Sequence, residues 1–378
     1  MPGSRSSDRS RWSCGPKADP LRIVIDVSPL SLPRTGIGNY LRGMVGGLAT
    51  VAPEHEIVAF APTGIQGTRR VREALEPIPV ERRLVTLPGA YAWRLAWSKS
   101  GRLPLERTLG LFDVFHFSDW MYPPQRAGVR ATTIHDLVPL HFPELVHPRT
   151  RRMHGAKYRH AAATCDVVFT NSRFTAADVA EHLQIPSERL RVAYPGIDAR
   201  FRPDGERAEL GAPYVLTVST LDPRKNVEVV MDAFRLVRRQ RPELLLVVVG
   251  GLAPGAVAPA DREGVRMLGF VDDPRLAALY RGASAFVYAS RFEGFGMPVV
   301  EALASGVPTI ASSHPSLDET SGQAAFRADP TSPEAVAEAL EDALQRGSER
   351  RASGLAHARQ FTWEACGNAV LRGYESVL

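Results

Sequence analysis

The chain has 378 residues, of which 44% are hydrophobic and 23% charged, and its formal net charge is +5. This length is typical of two domains rather than one, and the composition is that of a globular protein with a packed core. The mild positive charge does not indicate nucleic-acid binding, and the sequence contains none of the motifs typical of DNA- or RNA-binding domains.

The first twenty residues are polar, rich in serine and arginine, and contain no apolar stretch of the kind found in a signal peptide. We therefore expect residues 1–20 to form a disordered tail. The three cysteines, Cys14, Cys165 and Cys366, are far apart and form no disulfide or metal-binding pattern, which favours the reducing cytoplasm. No stretch approaches the roughly 18 apolar residues of a membrane span.

Strands alternate with helices along the rest of the chain. In the first half the predicted strands are Leu21–Asp26, Glu56–Ala61, Val114–Phe117, Ala131–Ile134 and Asp166–Thr170, with helices at Tyr40–Leu48, Arg151–Ala163 and Thr175–Leu183. In the second half the predicted strands are Tyr214–Ser219, Leu244–Val249, Ala285–Tyr288 and Thr309–Ala311, with helices at Val227–Arg239, Pro274–Tyr280, Pro298–Ser305 and Pro333–Arg346.

This alternation predicts an α/β fold with two doubly wound, Rossmann-like domains that face one another across a cleft. We place the first domain at residues 21–200 and the second at 213–360, joined by a polar linker at 201–212. Ligands of such sheets bind outside the carboxyl ends of the strands, so polar residues there are the functional candidates.

The segment from Arg291 to Gly306 is the most informative of these. Gly294 and Gly296 form a turn between a strand and a helix, and they leave backbone N–H groups unshielded at the helix N-terminus, where anionic or hydroxyl-rich ligands bind. Glu293 precedes this helix and Glu301 lies in its first turns, so both can face one pocket. A Glu-Gly-x-Gly turn alone would be an ordinary tight turn.

The adjacent cations Arg224 and Lys225 follow the strand Tyr214–Ser219. An Arg-Lys pair at the carboxyl end of a strand can neutralise a diphosphate leaving group without a metal, although alone it would be an ordinary surface pair. The sequence has no Asp-x-Asp pair and no His-x-x-x-His set. Since an Asp-x-Asp pair is a common way to hold a divalent cation at a diphosphate, we expect a metal-free site with no cofactor.

Two further candidates lie in the first half of the chain. His135 and Asp136 follow the strand Ala131–Ile134, and Gly36 and Gly38 follow the first strand. Taken alone, His-Asp could equally be a structural hydrogen-bonded pair, and a lone Gly-x-Gly is weak evidence for any function.

Together these segments resemble the family 4 glycosyltransferases, which have the two-domain GT-B fold. The string Glu293–Glu301 resembles the family's Glu-x7-Glu motif, Pro223–Asn226 its phosphate-binding Pro-Arg-Lys-Asn, and Thr133–Leu137 its Thr-x-His-Asp-Leu. Asn171-Ser172 and Tyr194–Asp198 match family positions that frame the cleft. The ending, residues 361–378, resembles the family's terminal helix, which packs back on the first domain. Many members carry Gly-Arg where this chain has Ser219-Thr220, so the second basic contact falls to Arg224 or is missing.

The resemblance implies a retaining glycosyltransferase that moves a hexose from a nucleotide-diphosphate sugar to a glycan or lipid-linked acceptor in cell-surface polysaccharide synthesis. GDP-mannose is the first choice of donor. It also implies catalytic roles for Glu293, His135, Arg224 and Lys225. The donor-binding residues carried over from the family are Gly36, Gly38, Asp136, Phe295, Gly296, Met297, Pro298, Val299 and Glu301.

Two alternatives remain open, namely a phosphorylase or epimerase on the same scaffold and a catalytically silent binding partner. A separate question concerns Tyr91–Arg102 and Arg149–His160, which combine basic and aromatic residues. They are either solvated helix faces with core tryptophans or a peripheral contact with anionic lipid at the inner face of the plasma membrane.

Overall fold

The computed structural model describes residues 19–33, 36–118, 121–252 and 262–378. The predicted tail lies outside these ranges except for its last two residues, and Arg34 and Thr35 also lie outside them. The strands are β1 Arg22–Asp26, β2 Glu56–Thr63, β3 Glu81–Thr86, β4 Val114–Phe117, β5 Val129–Ile134, β6 Val167–Thr170, β7 Leu190–Val192, β8 Tyr214–Val218, β9 Leu245–Val249, β10 Val265–Gly269, β11 Ala285–Tyr288, β12 Thr309–Ser312 and β13 Phe326–Ala328.

Helices fill the connections between the strands. They are α1 Gly36–Val51, α2 Ile65–Leu75, α3 Ala90–Ser100, α4 Glu106–Leu109, α5 Val138–His141, α6 Pro148–Thr164, α7 Arg173–Leu183, α8 Val227–Arg238, α9 Asp273–Gly282, α10 Met297–Ala304, α11 Pro315–Ser321, α12 Pro333–Ala358 and α13 Trp363–Glu375. Within the described ranges, no helix is long and apolar enough to cross a membrane.

The strands form two wholly parallel sheets. The first has the order β3-β2-β1-β4-β5-β6-β7 and the second β10-β9-β8-β11-β12-β13. In each sheet the strand numbering changes from descending to ascending once, between β1 and β4 in the first sheet and between β8 and β11 in the second, although all strands stay parallel. The predicted α/β class with two doubly wound sheets is confirmed, and these reversals are the points where such sheets bind ligands.

The central strands are buried on both faces, which explains their nearly continuous apolar sequences. In the second sheet, Leu246, Val248 and Val287 pack into one hydrophobic cluster, whereas Val247 and Phe286 pack into another on the opposite face. The sheet is therefore covered by helices on both faces, and a ligand can contact it at the loops that follow the carboxyl ends of the strands.

Several elements differ from the sequence prediction. Strand β3 was not predicted because its sequence, Glu-Arg-Arg-Leu-Val-Thr, is polar and only partly buried at the sheet edge. Strands β10 and β13 are also edge strands that the pattern did not indicate. Helix α12 continues to Ala358, twelve residues beyond the predicted end at Arg346. The residues after Arg346 are mostly polar or small, which is typical of a loop but also of a long helix with one face exposed to solvent.

Helix α13 returns to the first sheet and packs on α1. Tyr374, which is fully buried, shares a hydrogen bond of 2.7 Å between its hydroxyl and Nδ1 of His116 on β4. At the other end of α13 the ring of Trp363 lies 6.1 Å from that of Tyr40 on α1. The C-terminal helix thus holds α1, whose first residues face the cleft.

Candidate functional site

The loops that follow β1 and β5 face those that follow β8, β9 and β11, and together they enclose a pocket of about 430 Å³. The first sheet contributes Gly36, His135 and Asp136 to its wall, and the second sheet contributes Lys225 and Glu293. Residues as far apart in the sequence as Gly36 and Glu293 thus meet in one cleft, because both sheets present their carboxyl ends to it.

A short 3-10 turn, Pro223–Lys225, positions Lys225 after β8. The Asp222 carboxylate accepts hydrogen bonds from the backbone N–H groups of Arg224 (2.9 Å) and Lys225 (3.3 Å), which caps this turn. The side chain of Asn226, whose φ is +61°, donates to the Ala289 carbonyl at 3.0 Å. This bond attaches the loop after β8 to the loop after β11, so the two charged segments are fixed relative to one another.

Glu293 is held by four donors that meet at its Oε1. Lys225 Nζ lies 2.5 Å away, the Ser290 hydroxyl 2.6 Å, the Tyr288 hydroxyl 2.9 Å and Arg224 Nη1 3.1 Å. Only 8% of Glu293 is exposed. The carboxylate is therefore a fixed, ionised acceptor whose other oxygen, Oε2, lies outside this set of donors.

The pKa of Glu293 reflects this environment. Burial alone would raise it, but the charges of Lys225 and Arg224 and the hydrogen bonds from Lys225 and Ser290 outweigh burial and lower the pKa to about 2. Glu293 is thus negatively charged at neutral pH, and it suits acceptance of hydrogen bonds rather than donation of a proton.

The turn at Gly294 joins the two halves of the cleft. A Cβ atom at this position would lie 1.9 Å from the carbonyl oxygen of His135, so no other residue fits without a backbone shift. The Gly294 carbonyl accepts hydrogen bonds from Ser172 (2.5 Å) and Thr175 (3.1 Å) at the start of α7. The first sheet therefore holds the turn that carries Glu293 directly against His135.

Helix α10 begins at this turn and points its N-terminus into the pocket. Gly296, with φ +89°, precedes the helix, and Met297 and Pro298 form its first turn. One turn further, Glu301 accepts a hydrogen bond of 3.0 Å from the Tyr280 hydroxyl while also lining the pocket. Backbone N–H groups and the positive end of the helix dipole thus face the same space as Lys225, which makes the pocket suitable for a phosphate-bearing ligand.

His135 and Asp136 form the opposite wall. The His135 ring lies edge-on to Tyr40, with ring centroids 4.7 Å apart, and burial together with the charge of Lys157 lowers its pKa to about 3. Asp136 accepts a hydrogen bond of 3.0 Å from the Val138 N–H, and burial raises its pKa. His135 is accordingly a neutral imidazole at physiological pH, able to hydrogen-bond but not to supply positive charge.

Two family sequence models match the chain one after the other. The model described as Glycosyltransferase Family 4 matches residues 34–201, and that described as Glycosyl transferases group 1 matches residues 200–359. The first match covers the first sheet apart from β1, the second covers the whole second sheet, and each includes the pocket residues of its own side. The chain is a family 4 glycosyltransferase.

Individual relatives agree with this assignment. This glycosyltransferase is 28% identical to the Escherichia coli protein named O-antigen chain mannosyltransferase B, across 94% of this chain and 100% of the relative. It is 30% identical to the D-inositol 3-phosphate glycosyltransferase of Segniliparus rotundus, across 57% of this chain and 53% of that one. Among solved structures, Anabaena HepE in complex with UDP-glucose superposes with a TM-score of 0.69 at 16% identity, covering 94% and 100% of the two chains.

Most of the predicted site residues of the glycosyltransferase line this pocket in the described part of the chain. They are Gly36, His135, Asp136, Lys225, Glu293, Phe295, Gly296, Met297, Pro298 and Glu301. Three predicted residues are not among its lining residues. Val299 is fully buried in the core below α10, Gly38 lines a neighbouring pocket, and Arg224 lies behind Glu293 with Nη1 2.5 Å from the Phe292 carbonyl.

The structure adds pocket residues that the sequence did not single out. Tyr288 binds both Lys225 and Glu293, but inside a strand it was indistinguishable from a core aromatic residue. Gly250 ends β9 with φ +139°, and a Cβ there would lie 1.7 Å from the Ser219 carbonyl oxygen. Phe270 is 73% exposed at the pocket mouth. In the sequence, the indication of this part of the pocket is the pair Gly250-Gly251, which directly follows the buried strand β9.

The low pKa of the buried histidines predicts acid sensitivity of the glycosyltransferase. His135 and His116 have pKa values of about 3 in the folded protein, against about 6.5 in an unfolded chain. Between these values the unfolded chain binds more protons, so stability rises with pH and is lost as the pH falls below about 6.5. Urea unfolding measured from about pH 7 to about pH 4 should show this loss, and His135→Asn should make it shallower. A flat profile in both proteins would contradict the prediction.

Proposed function

We propose that this glycosyltransferase moves a hexose, with retention of configuration, from a nucleotide-diphosphate sugar to a glycan or lipid-linked acceptor of a cell-surface polysaccharide. GDP-mannose is the first donor to test. The observation that carries the proposal is the contact between Lys225 and Glu293 beside the N-terminus of α10, because a cation, a fixed carboxylate and the positive end of a helix dipole then lie around one pocket. The name of the E. coli relative, a mannosyltransferase of O-antigen chains, supports the choice of donor.

In the proposed reaction, the diphosphate lies between Lys225 and the first turn of α10. Glu293 holds hydroxyls of the donor sugar, and Glu301 holds the ribose. The bond between the anomeric carbon and the leaving oxygen breaks, and its electron pair goes to the diphosphate. The acceptor oxygen then bonds to the same face of the sugar, and its proton passes to the leaving phosphate oxygen. Lys225 and the helix dipole stabilise the charge that develops there.

We also propose that this donor site needs no metal ion. Lys225 and the N-terminus of α10 both face the pocket, and together they neutralise the negative charge of the diphosphate. Transfer should therefore need no added Mg²⁺ or Mn²⁺ after exhaustive treatment with a chelator, whereas a loss restored by either of these two ions would contradict this part of the proposal.

A thermal-shift screen of GDP-, UDP- and dTDP-sugars tests the proposed function. A donor present at about 100 times its dissociation constant adds about 2.7 kcal/mol of stability. The stabilising donor is then incubated without acceptor, and release of free sugar is followed. Stabilisation with slow release is the expected result. Stabilisation without any release would favour the silent binding partner, and dependence on inorganic phosphate would favour a phosphorylase.

Phe270 is proposed to stack on the nucleobase, since it is an exposed aromatic ring at the pocket mouth next to Gly250 and Gly251. Stacking of a base on an aromatic ring is worth about 1–3 kcal/mol. We therefore expect Phe270→Ala to raise KM for the donor by about ten-fold or more while kcat changes little. Phe270→Tyr is the matched control. A lowered kcat with unchanged KM would argue against a binding role.

We propose that the protein works at the inner face of the membrane through α3 and the start of α6. Arg149 lies 5.1 Å from the Tyr91 ring, so the two helices form one surface, on which Arg151, Arg152 and Trp93 are exposed. Three other residues of these segments, Arg94, Trp97 and Lys157, are buried and take no part.

Sedimentation with vesicles containing anionic lipid should pull down the wild type at low salt and less of it at high salt. The variant Arg151→Glu/Arg152→Glu should bind less. Equal binding of neutral and anionic vesicles would contradict the membrane proposal.

A further inference from the structure

Two imidazoles and a carboxylate converge outside the donor pocket. His141 is the last residue of α5, and Asp178 and His182 lie one turn apart on α7. His141 Nε2 lies 2.8 and 3.0 Å from the two carboxylate oxygens of Asp178, and His182 Nδ1 lies 3.1 Å from Oδ1. All three potential ligand atoms lie within 4.8 Å of one another.

This donor set suits a borderline divalent transition metal. Zn²⁺ binds imidazole nitrogen and carboxylate oxygen at about 2.0–2.2 Å, so neighbouring ligand atoms of a tetrahedral site are about 3.3 Å apart. The observed spacings reach that geometry with small side-chain movements. Hard cations such as Mg²⁺ and Ca²⁺ prefer sites made of oxygen alone, so they fit this set poorly.

Burial and access also agree with metal binding. The side chain of Asp178 is 6% exposed, while those of His141 and His182 are 26% and 38% exposed. The carboxylate is thus fixed below the surface, and the imidazoles leave a side open to solvent. An ion can enter from that side and complete its coordination with water, as in zinc sites that have three protein ligands.

We propose that His141, Asp178 and His182 bind one divalent ion of the Zn²⁺, Co²⁺ or Ni²⁺ class. None of the three is among the pocket-lining residues in the described part of the chain, so this site is separate from the donor site. Its position is nevertheless informative. Helix α5 directly follows the His135-Asp136 segment, and α7 begins at Ser172, which holds the Gly294 carbonyl. An ion that joins α5 to α7 would stiffen the wall of the cleft without touching the donor.

Metal binding is measured directly on full-length protein that carries no histidine tag and has been stripped of metal. Titration with Co²⁺ should give saturable ligand-field absorption at one equivalent, and Zn²⁺ should displace it. His182→Gln should weaken binding by more than about 100-fold, because loss of even an outer-shell partner costs about 10- to 100-fold. His147→Gln, at an exposed histidine elsewhere, is the matched control and should bind as the wild type does.

A second measurement, the change in Tm caused by Zn²⁺, distinguishes the loss of metal binding from the misfolding of a variant. Zn²⁺ should raise the Tm of the wild type and of His147→Gln, but not that of His182→Gln, whose partly exposed position lets the fold persist. Asp178→Asn, at the buried ligand, should also lose the effect. Absence of a saturable Co²⁺ spectrum, or equal binding by all variants, would overturn the proposal and leave Asp178 as a hydrogen-bond acceptor for two histidines.

Discussion

Replacing Lys225 with alanine is expected to lower the turnover of sugar transfer by about two to three orders of magnitude. Lys225 lines the pocket, and the loop after β8 holds it against Glu293 and the N-terminus of α10. Its charge is therefore preorganised where the leaving diphosphate becomes more negative. Removal of one such preorganised group typically costs about 2.7–4 kcal/mol of transition-state stabilisation.

Steady-state transfer with the donor identified by thermal shift measures this effect. Arg72→Ala, which removes an exposed cation on α2, is the control for loss of positive charge and should transfer at the wild-type rate. Lys225→Met keeps most of the side-chain volume and should be as inactive as the alanine variant. Sugar transfer close to the wild-type rate in either Lys225 variant would remove this residue from the leaving-group role.

The fold was predictable because alternation of apolar strands with amphipathic helices allows few architectures, and the strands of both sheets are buried on two faces. The position of the site was predictable for a related reason. Lys225 and Glu293 each follow a strand, and parallel strands deliver their carboxyl-end loops to one edge. Polar edge strands such as β3 could not be predicted, since pairing with β2 rather than sequence pattern stabilises them.

Side-chain direction within the site was less predictable. Arg224 and Lys225 are adjacent, yet Lys225 lines the pocket while Arg224 turns back towards the Phe292 carbonyl. The direction of each side chain depends on the turn that Asp222 caps, and no periodic pattern in the sequence indicates that turn. Phe270 follows a half-exposed edge strand, so only the assembled cleft shows that its ring reaches the pocket mouth.

Replacing Glu293 with glutamine is expected to reduce both transfer and stability. The neutral amide accepts sugar hydroxyls less strongly than a carboxylate, so we expect kcat to fall by about 100-fold or more. Folding should suffer as well, because the change from an ordinary pKa of 4.5 to about 2 corresponds to a stabilisation on the order of 3 kcal/mol. In the wild type this contribution is present above about pH 4.5 and is lost as the pH falls towards 2, whereas Glu293→Gln should lack it throughout.

A double-mutant cycle measures the interaction between Lys225 and Glu293 apart from the contacts that each makes with other residues. Glu293→Gln leaves the partly buried ammonium group of Lys225 without its carboxylate, and Lys225→Met leaves the carboxylate with Arg224 as its remaining charged partner. Each single variant therefore includes the cost of a charge that has lost a partner, for which the cost of breaking a fully buried pair, about 3–5 kcal/mol, is the upper bound. The double variant lacks both charges and should be more stable than the sum of the single losses predicts. Strictly additive losses in urea unfolding would mean that Lys225 and Glu293 do not interact in the folded protein, and the central contact of the proposed donor site would then have to be abandoned.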